Sequence, residues 1–357
     1  MYFWAIKNYE VTKMKVSIIG ATGYGGLELL RFLHNHKEVE EIGLFTSSEE
    51  GTLFSDKFPH LTDIYNQPLL KIDYDVLAKS DVVFASTPSG VSSTLFPPLV
   101  NLGPKLIDLS GDFRLKNLES YESWYKKKPA PKEVVEKSVY GLTEWNEAAI
   151  KKSELIANPG CYPTAVLLSI LPLIKHQLID PSFLVIDAKS GISGAGNKPS
   201  NTTHYSEANE SFSIYKINEH QHIPEIEQAI SMFTDIETTI TFNTHLVPMT
   251  RGILATSYAQ VTEGVTQQQL VDCLTSTYEK HPFVRVIQEA SSIGTNRVKG
   301  SNYCDIYVKL DERTNRATII GVIDNLVKGA AGQAIQNMNV QFGLPQQTGL
   351  QLVPYFI

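Results

Sequence analysis

The sequence predicts an α/β protein of two domains, the first built on a parallel sheet and the second on a sheet of more antiparallel character. Near the start, a strand, a glycine cluster, a helix and a second strand follow one another within about 30 residues, the pattern of a βαβ unit. After residue 160, strand-like runs are separated by long polar connections. This change in the spacing of the strand-like runs predicts the second domain.

The strands of the first domain are short apolar runs rich in β-branched residues. KVSIIG (15–20) precedes the cluster GATGYGG (20–26), and LELLRFLHNH (27–36) has helical leucine spacing before the strand VEEIGLFTS (39–47). Further strands are predicted at DVVFAS (81–86), KLIDLS (105–110) and ELIANPG (154–160).

The second half contains longer strand-like runs and ends in a helix of small residues. That helix is predicted at KGAAGQAIQNMNVQFG (328–343), where Gly343 is the stop signal. The strands are predicted at FLVIDAKSG (183–191), TTITFNTHLVPM (238–249), GILATSYAQV (252–261) and CDIYVKL (304–310).

Composition excludes several classes of protein. Of 357 residues, 42% are hydrophobic and 19% charged, and the net charge is -7, which argues against a protein that coats nucleic acid or an anionic membrane. No apolar run approaches the length of a membrane span, and the opening residues 1–13 do not resemble a signal peptide. Three cysteines do not form a disulfide framework. We therefore expect a cytoplasmic protein with a small-molecule substrate.

The glycine cluster predicts a binding site for a dinucleotide. Gly20, Gly23 and Gly26 follow a strand and open a helix, where backbone N–H groups and the positive end of the helix hold a pyrophosphate. The spacing is G-x-x-G-x-x-G rather than G-x-G-x-x-G. The alternative is a plain tight turn between strand and helix.

The tip of the second predicted strand favours NADP(H) over NAD(H). An acidic residue there would bind a free ribose 2′-hydroxyl, and its absence leaves room for a 2′-phosphate. This strand ends in Thr46, Ser47 and Ser48, whose hydroxyls can donate to a phosphate, although Glu49 and Glu50 follow closely. The alternative is a simple turn rich in serine and threonine.

Cys161 is the candidate nucleophile. It lies in NPGCYPTAVLLSILPLI (158–174), where Pro159 and Gly160 predict a sharp turn and Pro163 fits the first turn of a helix. The helix N-terminus should favour the thiolate and lower a pKa that is about 8.5 in free cysteine. Cys273 and Cys304 suit the alternative, a small buried hydrophobe. A cysteine beside a nicotinamide domain indicates acyl transfer through a thioester, coupled to hydride transfer.

From about Lys15 to Gly343 the chain resembles the N-acetyl-γ-glutamyl-phosphate reductases of arginine biosynthesis, which are related to aspartate-semialdehyde dehydrogenase. The resemblance rests on motifs that together are highly specific. They are GATGYGG (20–26), STPSG (86–90), DLSGDFRL (108–115), YGLTEWN (140–146), NPGCYPTA (158–165), SGISGAG (190–196), EHQHIPEI (219–226), VPMTRGI (247–253) and DNLVKGAAGQAIQNMN (324–339).

The resemblance implies a Rossmann-type NADP-binding domain at 14–160, completed by the helix at 328–343, and an α+β catalytic and dimerisation domain at 161–327. It implies an NADPH-dependent oxidoreductase that acts on an acyl phosphate and forms a homodimer or homotetramer. It also implies that Arg114 and Arg251 bind the substrate's phosphate and carboxylate, since a guanidinium suits both; the alternative for each is an ion pair at the surface or between domains. Cofactor contacts are implied at Gly20, Thr22, Gly23, Tyr24, Gly25, Gly26, Ser86, Pro88, Ser89, Ser193, Gly194, Asn325 and Lys328.

His220 and His222 are the candidate acid/base residues. Pro224 disfavours helix for the residue before it, which predicts an extended path with both side chains on one face. His220 is favoured as the acid/base and His222 as its orienting or substrate-contacting partner, although both could instead hold the loop by hydrogen bonds. A metal site formed with Cys161 is disfavoured, because a bound thiolate would lose its nucleophilic role.

Three other functions remain open from the sequence. The same chemistry could act on a longer N-modified aminoadipyl phosphate, and aspartate-semialdehyde dehydrogenase is a second enzyme alternative. An NADPH-binding sensor is the alternative outside catalysis. Cys161 and the paired histidines speak against a sensor, which needs neither.

Overall fold

The computed structural model describes residues 13–355 and places two seven-stranded sheets in them. Residues 1–12, where the sequence predicts no signal peptide, lie outside the described residues, as do 356 and 357. The strands are β1 Met14–Ile19, β2 Val39–Thr46, β3 Leu70–Lys71, β4 Val82–Ala85, β5 Lys105–Asp108, β6 Val139–Tyr140, β7 Leu155–Ala157, β8 Ile179–Gly191, β9 Ser213–Tyr215, β10 Thr241–Val247, β11 Ile253–Val261, β12 Val284–Val286, β13 Cys304–Asp311 and β14 Arg316–Ile323.

Twelve α-helices connect and cover these strands in residues 13–355, and a π-helical turn, Val327–Ala331, leads into the last of them. The helices are α1 Tyr24–Leu33, α2 Phe54–Lys57, α3 Tyr74–Leu77, α4 Ser92–Leu95, α5 Leu118–Tyr125, α6 Lys132–Lys137, α7 Thr143–Ile150, α8 Cys161–Lys175, α9 Tyr205–Ala208, α10 Ile223–Thr234, α11 Gln267–Tyr278 and α12 Gly332–Gln341.

The first sheet is parallel throughout, in the order β3-β2-β1-β4-β5-β7-β6. Its central strands are apolar on both faces because helices cover both sides. On one face, Val16 and Ile18 of β1 share a core with Leu29 of α1 and with Ile335 and Met338 of α12. The C-terminal helix therefore packs on the first sheet although it follows the second in the chain.

The second sheet is mixed, in the order β12-β13-β14-β11-β8-β10-β9. Its three central pairs, β13–β14, β14–β11 and β11–β8, are antiparallel. One face packs on α8, which is buried along nearly its whole length. At Gly321 of β14 an added Cβ would lie 2.2 Å from the Ala165 carbonyl oxygen, so glycine allows this close approach.

The predicted fold class is confirmed, and each predicted strand is present within a few residues of its predicted bounds. Five strands in the described residues were not predicted from the sequence. β3, β6, β9 and β12 have only two or three residues, too few to show an alternating pattern. β14 is a full central strand of eight residues, and its run ATIIGVI carried the usual signal of a buried strand.

Candidate active site

The functional residues meet in a cleft of about 560 Å³ at the carboxyl edge of the first sheet, where open parallel sheets bind ligands. Its walls include the glycine loop after β1, the turns after β4 and β8, the segment after β5, the start of α8, the residues before α10 and the turn after β14. Its lining includes Gly23, Tyr24, Gly25, Ser86, Pro88, Ser89, Arg114, Cys161, Ser193, Gly194, His220, His222 and Asn325. Most of the predicted site residues are thus brought together.

The glycine loop fits a pyrophosphate closely. Gly20 has φ +81, and a Cβ there would lie 2.3 Å from the Ser86 carbonyl oxygen. A Cβ at Gly25 would lie 2.5 Å from Ser86 Oγ. No side chain caps the N-terminus of α1, so the N–H groups of its first turn are free to bind an anion. The chain therefore fits the phosphates of NADP(H).

Asn325 joins the far wall of the cleft. Its Oδ1 accepts from the Gly252 N–H at 2.7 Å, and its Nδ2 donates to Ser193 Oγ at 3.0 Å. On the opposite wall, Ser89 Oγ donates to the Ser110 carbonyl at 3.0 Å. These bonds hold Ser89, Ser193 and Asn325 in place in the lining of the cleft.

Several predicted cofactor residues lie outside the cleft lining. Gly20 and Gly26 allow close backbone contacts within the loop. The Thr22 carbonyl accepts a hydrogen bond from Asn197 Nδ2 at 3.0 Å. Thr46 is buried and its Oγ1 accepts from the Ser48 N–H at 3.3 Å. Ser47 and Ser48 are exposed at the tip of β2, where a 2′-phosphate could reach them.

Lys328 requires a correction. Its side chain is fully buried, and Nζ donates to Glu144 Oε1 at 2.6 Å and to Gln336 Oε1 at 2.8 Å. It lies in the π-helical turn before α12, which turns it away from the cleft. Lys328 therefore forms a buried ion pair with Glu144 of α7 and does not line the cleft, so its predicted contact with the cofactor is not supported by its placement.

Cys161 is the first residue of α8 and is partly buried at the floor of the cleft. Burial raises the pKa of its thiol to about 11, although Arg114 and backbone N–H groups act in the opposite direction. The N–H groups at the helix N-terminus thus lower the pKa of Cys161 as expected, but the predicted net lowering is wrong, because the larger effect of burial raises it. Desolvation outweighs the helix dipole, so the thiol needs a base to become a nucleophile.

His220 and His222 lie side by side with ring centroids 4.6 Å apart, but the path between them is not extended. The Ile223 N–H donates to the His220 carbonyl at 2.9 Å, and His222 has helical angles, φ -82 and ψ -10. Pro224 occupies the first turn of α10, where its missing N–H costs nothing. The turn, rather than an extended strand, brings the two rings together.

The two imidazole rings differ in their contacts. His220 Nδ1 accepts from the His222 backbone N–H at 3.1 Å, so in the neutral ring the proton lies on Nε2. The ring of His222 lies against Gly160, so that a Cβ there would be 2.4 Å from Nε2. Burial lowers the pKa of His220 to about 3, and it lowers the pKa of His222 well below its usual value. Both rings are neutral at pH 7.

Arg114 lines the cleft, and its side chain is only 6% exposed. Nε donates to the Asn158 carbonyl at 2.8 Å, Nη2 to the Leu109 carbonyl at 3.1 Å, and Nη1 to Glu225 at 3.2 Å. Arg114 thus commits three of its five N–H groups to supporting the loop before Cys161, which leaves fewer for the predicted contact with the substrate.

Arg251 lies outside the cleft lining. Its Nη2 donates to Glu28, and Nη1 lies 3.6 Å from Asp324 Oδ2. This is an ion pair between the two domains, the alternative that the sequence left open. The predicted contact of Arg251 with the substrate is therefore not supported by its placement.

Glu225 is the main residue that sequence reasoning missed. It is fully buried, and Oε1 accepts from the Gly160 N–H and from the Tyr140 hydroxyl, both at 2.8 Å. Its Oε2 pairs with Arg114 and lies 4.0 Å from His222 Nε2. The motif EHQHIPEI held the signal, since a glutamate three residues after a histidine shares its helix face.

The cleft also holds a cation that the sequence reading passed over. Lys198 follows the turn Ile192–Ala195 and lines the cleft beside Asn197. It is exposed, and within residues 13–355 it forms no ion pair with a carboxylate. Lys198 is thus an exposed cation in the lining of the cleft.

Between residues 13 and 355, no three His, Cys, Asp or Glu side chains are grouped as metal ligands. No helix in that stretch has the length and apolar character needed to cross a membrane.

Comparisons with known proteins cover both domains. Residues 15–153 match the family model for the semialdehyde dehydrogenase NAD binding domain, and residues 161–325 match that for the semialdehyde dehydrogenase dimerisation domain. An N-acetyl-gamma-glutamyl-phosphate reductase of Geobacillus sp. (strain WCH70) is 53% identical over 96% of this chain and 100% of its own length. A reductase of the same name from Bacillus subtilis (strain 168) is 52% identical, with the same coverage.

The fold is also that of solved structures with much lower identity. Aspartate semialdehyde dehydrogenase II from Vibrio cholerae, complexed with ASA, has a TM-score of 0.70 at 16% identity and covers 92% of this chain and 98% of its own. The aspartate semialdehyde dehydrogenase of Candida albicans, solved with NADP, has a TM-score of 0.68 at the same identity and coverage. At such identity the likeness concerns the fold alone.

Proposed function

Because the chain belongs to the N-acetyl-gamma-glutamyl-phosphate reductase family, we propose that it reduces N-acetyl-γ-glutamyl phosphate to N-acetyl-glutamate 5-semialdehyde in arginine biosynthesis. The enzyme is an NADP-dependent oxidoreductase, and NADPH supplies the hydride. The observation that carries this function is the single cleft in which the glycine loop, Cys161 and two neutral histidines meet.

Cys161 forms a thioester with the substrate in this proposal. His222, whose ring lies against Gly160, takes the thiol proton as the sulfur attacks the acyl carbon, so that no free thiolate forms beforehand. The departing phosphate takes a proton from solvent. After reduction, the thiolate leaves the aldehyde carbon and recovers its proton from His222, so no proton is lost from the site.

His220 stabilises the oxyanion that forms on the acyl carbon. Its Nδ1 is held by the His222 backbone N–H, which leaves an Nε2–H directed at other partners in the cleft. A neutral ring that donates a hydrogen bond suits this role, because it needs no charge to be buried. The two histidines thus divide the work that the sequence reading assigned mainly to His220.

Lys198 binds the phosphoryl group of the substrate. A dianionic phosphate needs a cation within reach, and the guanidinium groups of Arg114 and Arg251 are paired with Glu225 and Glu28. Because Lys198 is exposed, its ammonium group stays hydrated better than that of a buried lysine. Its flexible side chain can also follow the phosphate as the phosphate leaves. This assignment replaces both arginines.

We also propose that the chain forms two domains, the first made of residues 14–160 and 328–343 and the second of residues 161–327. The core that α12 shares with β1 supports this division. The second domain, matched as a dimerisation domain, leaves one sheet face open, where Val185 and Tyr258 are exposed. We propose that a second copy packs there in a homodimer, or in a homotetramer built from such dimers. The cytoplasmic location remains a prediction.

The reverse reaction tests the function directly. NADP, inorganic phosphate and an aldehyde are mixed with the protein, and NADPH is followed by its absorbance. N-acetylglutamate semialdehyde should be oxidised, whereas aspartate semialdehyde and N-acetyl-aminoadipate semialdehyde should react far more slowly. Faster oxidation of either competitor would assign the substrate to the alternative enzyme, and no oxidation at all would favour a binding protein.

A further inference from the structure

A group of four charged side chains lies where the two domains meet, and the proposed chemistry does not use it. Glu28 and Arg31 belong to α1, Arg251 follows β10, and Asp324 follows β14. Glu28 is 4% exposed and Asp324 is fully buried. We call these four residues the interdomain cluster. Two positive and two negative charges balance within it, as buried charges require.

Arg251 bridges two carboxylates from different domains, with a hydrogen bond to Glu28 and a longer ion pair, without a hydrogen bond, to Asp324. Glu28 Oε1 accepts from Arg251, and Glu28 Oε2 accepts from Arg31 Nε and Nη2 at 2.9 and 2.7 Å. On the other side, Arg251 Nη1 lies 3.6 Å from Asp324 Oδ2. The planar guanidinium fork can hold two partners at a set separation, which the point charge of a lysine cannot.

The segments that carry this bridge are walls of the active-site cleft. Glu28 lies in the helix that the glycine loop opens. The backbone around Arg251 supports the turn after β8, because the Ser193 N–H donates to the Thr250 carbonyl at 3.0 Å and the Ile192 N–H to the Met249 carbonyl at 2.9 Å. Asp324 directly precedes Asn325. One side chain therefore connects the pyrophosphate wall to the nicotinamide wall.

We propose that Arg251 is a positioning residue: its bridge from Glu28 to Asp324 sets the separation of the two cofactor walls and thereby places the nicotinamide over Cys161. The inference rests on the proposed NADPH-dependent function. Misplacement of about 1 Å can reduce turnover about 10²-fold, so the bridge should matter for catalysis although it contacts neither substrate nor cofactor.

Loss of Arg251 should leave a folded protein. Glu28 keeps its two bonds to Arg31, and Asp324 keeps bonds from the Gly300 N–H at 2.7 Å and the Leu326 N–H at 2.9 Å. Neither carboxylate is therefore left without a partner, which is the costly outcome for a buried charge. Arg251→Gln removes the bridge and, with it, one of the two positive charges of the interdomain cluster.

The test measures where the cofactor lies, independently of turnover. Iodoacetamide alkylation of Cys161 is followed with and without saturating NADP. In the parent protein, bound cofactor should slow alkylation by shielding the thiol. In Arg251→Gln, NADP affinity should change less than about tenfold because the glycine loop is intact. Most of the shielding of Cys161 by NADP should be lost. The kcat should fall about 10²-fold. The kinetic isotope effect measured with NADPH deuterated at the transferred hydrogen should increase.

Arg285→Gln is the matched control. Arg285 also pairs bidentately with a buried carboxylate, Asp305, at 2.6 and 3.0 Å, but both residues belong to the second domain. Its loss should lower thermal stability and leave shielding unchanged. Arg251→Lys keeps the charge and should show intermediate shielding. If Arg251→Gln does not fold, Arg251→Lys decides in its place.

The outcomes separate this inference from the proposed function. A parent protein that does not reduce N-acetyl-γ-glutamyl phosphate overturns the proposed function, whatever Arg251 does. An active parent with full shielding and unchanged kcat in Arg251→Gln, or in Arg251→Lys where that variant decides, overturns the positioning role alone. Equal loss of shielding in Arg285→Gln also overturns it, because the effect would then be general destabilisation.

Discussion

Glu225 Oε1 accepts a hydrogen bond from the backbone N–H of Gly160 at 2.8 Å, which ties helix α10 to the residue directly before Cys161. The same carboxylate pairs with Arg114, whose Nε donates to the Asn158 carbonyl. Two buried charges thus fix the loop before the nucleophile from both sides. The position of Cys161 is set by residues that themselves have no part in bond making.

Glu225→Gln should impair catalysis through this loop. The amide keeps an acceptor for Gly160 but removes the negative charge beside Arg114. An unpaired buried charge costs about 3–5 kcal/mol of the free energy of unfolding, and a shifted Cys161 should lower kcat by about 10²-fold. Chemical unfolding and steady-state kinetics measure the two effects. Glu227→Gln, on the same helix but half-buried, is the control and should be nearly neutral; equal behaviour of both variants would contradict the role of Glu225.

Cys161→Ser should fold and bind NADPH yet lose nearly all turnover. A hydroxyl is far harder to ionise than a thiol, so the covalent step fails. Steady-state assays and a fluorescence titration of NADPH measure the two properties. Activity within about tenfold of the parent would mean that no thioester forms.

Alkylation of the unmodified protein checks the same cysteine. Because burial raises the pKa of Cys161 to about 11, the thiolate fraction below that pH rises about tenfold for each pH unit. The alkylation rate of the free protein should therefore climb from pH 7 to pH 9 without a plateau. A plateau near pH 7 would indicate a thiolate already formed. Cys304 is fully buried and should react last.

The histidine variants should separate two roles. His222→Asn removes the base for the thiol and should lower turnover by about 10²–10⁴. His220→Asn removes the hydrogen bond to the oxyanion and should also lower kcat, by about 10²–10³. Since burial depresses both histidine pKa values, the free enzyme should show no loss of kcat/KM from histidine protonation between pH 6 and 8. Near-normal turnover in both variants would remove the histidines from the mechanism.

Cofactor choice should depend on the tip of β2. Ser47 is exposed, so Ser47→Asp should fold normally while repelling a 2′-phosphate. NADPH should be clearly preferred by the parent, and the variant should bind NADPH more weakly and NADH equally well or better. Ser47→Asn is the control, because asparagine has the same shape as aspartate without the negative charge. Equal catalytic efficiency of the parent with both cofactors would refute the assignment of this strand tip.

The local sequence determined the fold class, the glycine loop and the place of Cys161 at the start of a helix. GATGYGG after an apolar strand and PGCYP before a helix are patterns whose geometry depends on a few adjacent residues. The strand β1 and the start of α8 at Cys161 follow from them directly. Short edge strands such as β6 carried too few residues to be recognised.

Only the tertiary structure decided what the charged residues do. Arg114, Arg251 and Lys328 are separated from their partners Glu225, Glu28 and Glu144 by more than 100 residues in the chain, and no local pattern identifies such pairs. The ionisation of Cys161 was decided in the same way, because burial by the surrounding domain outweighed the helix N-terminus that the sequence revealed. Desolvation depends on everything packed around a group, and therefore on the folded chain as a whole.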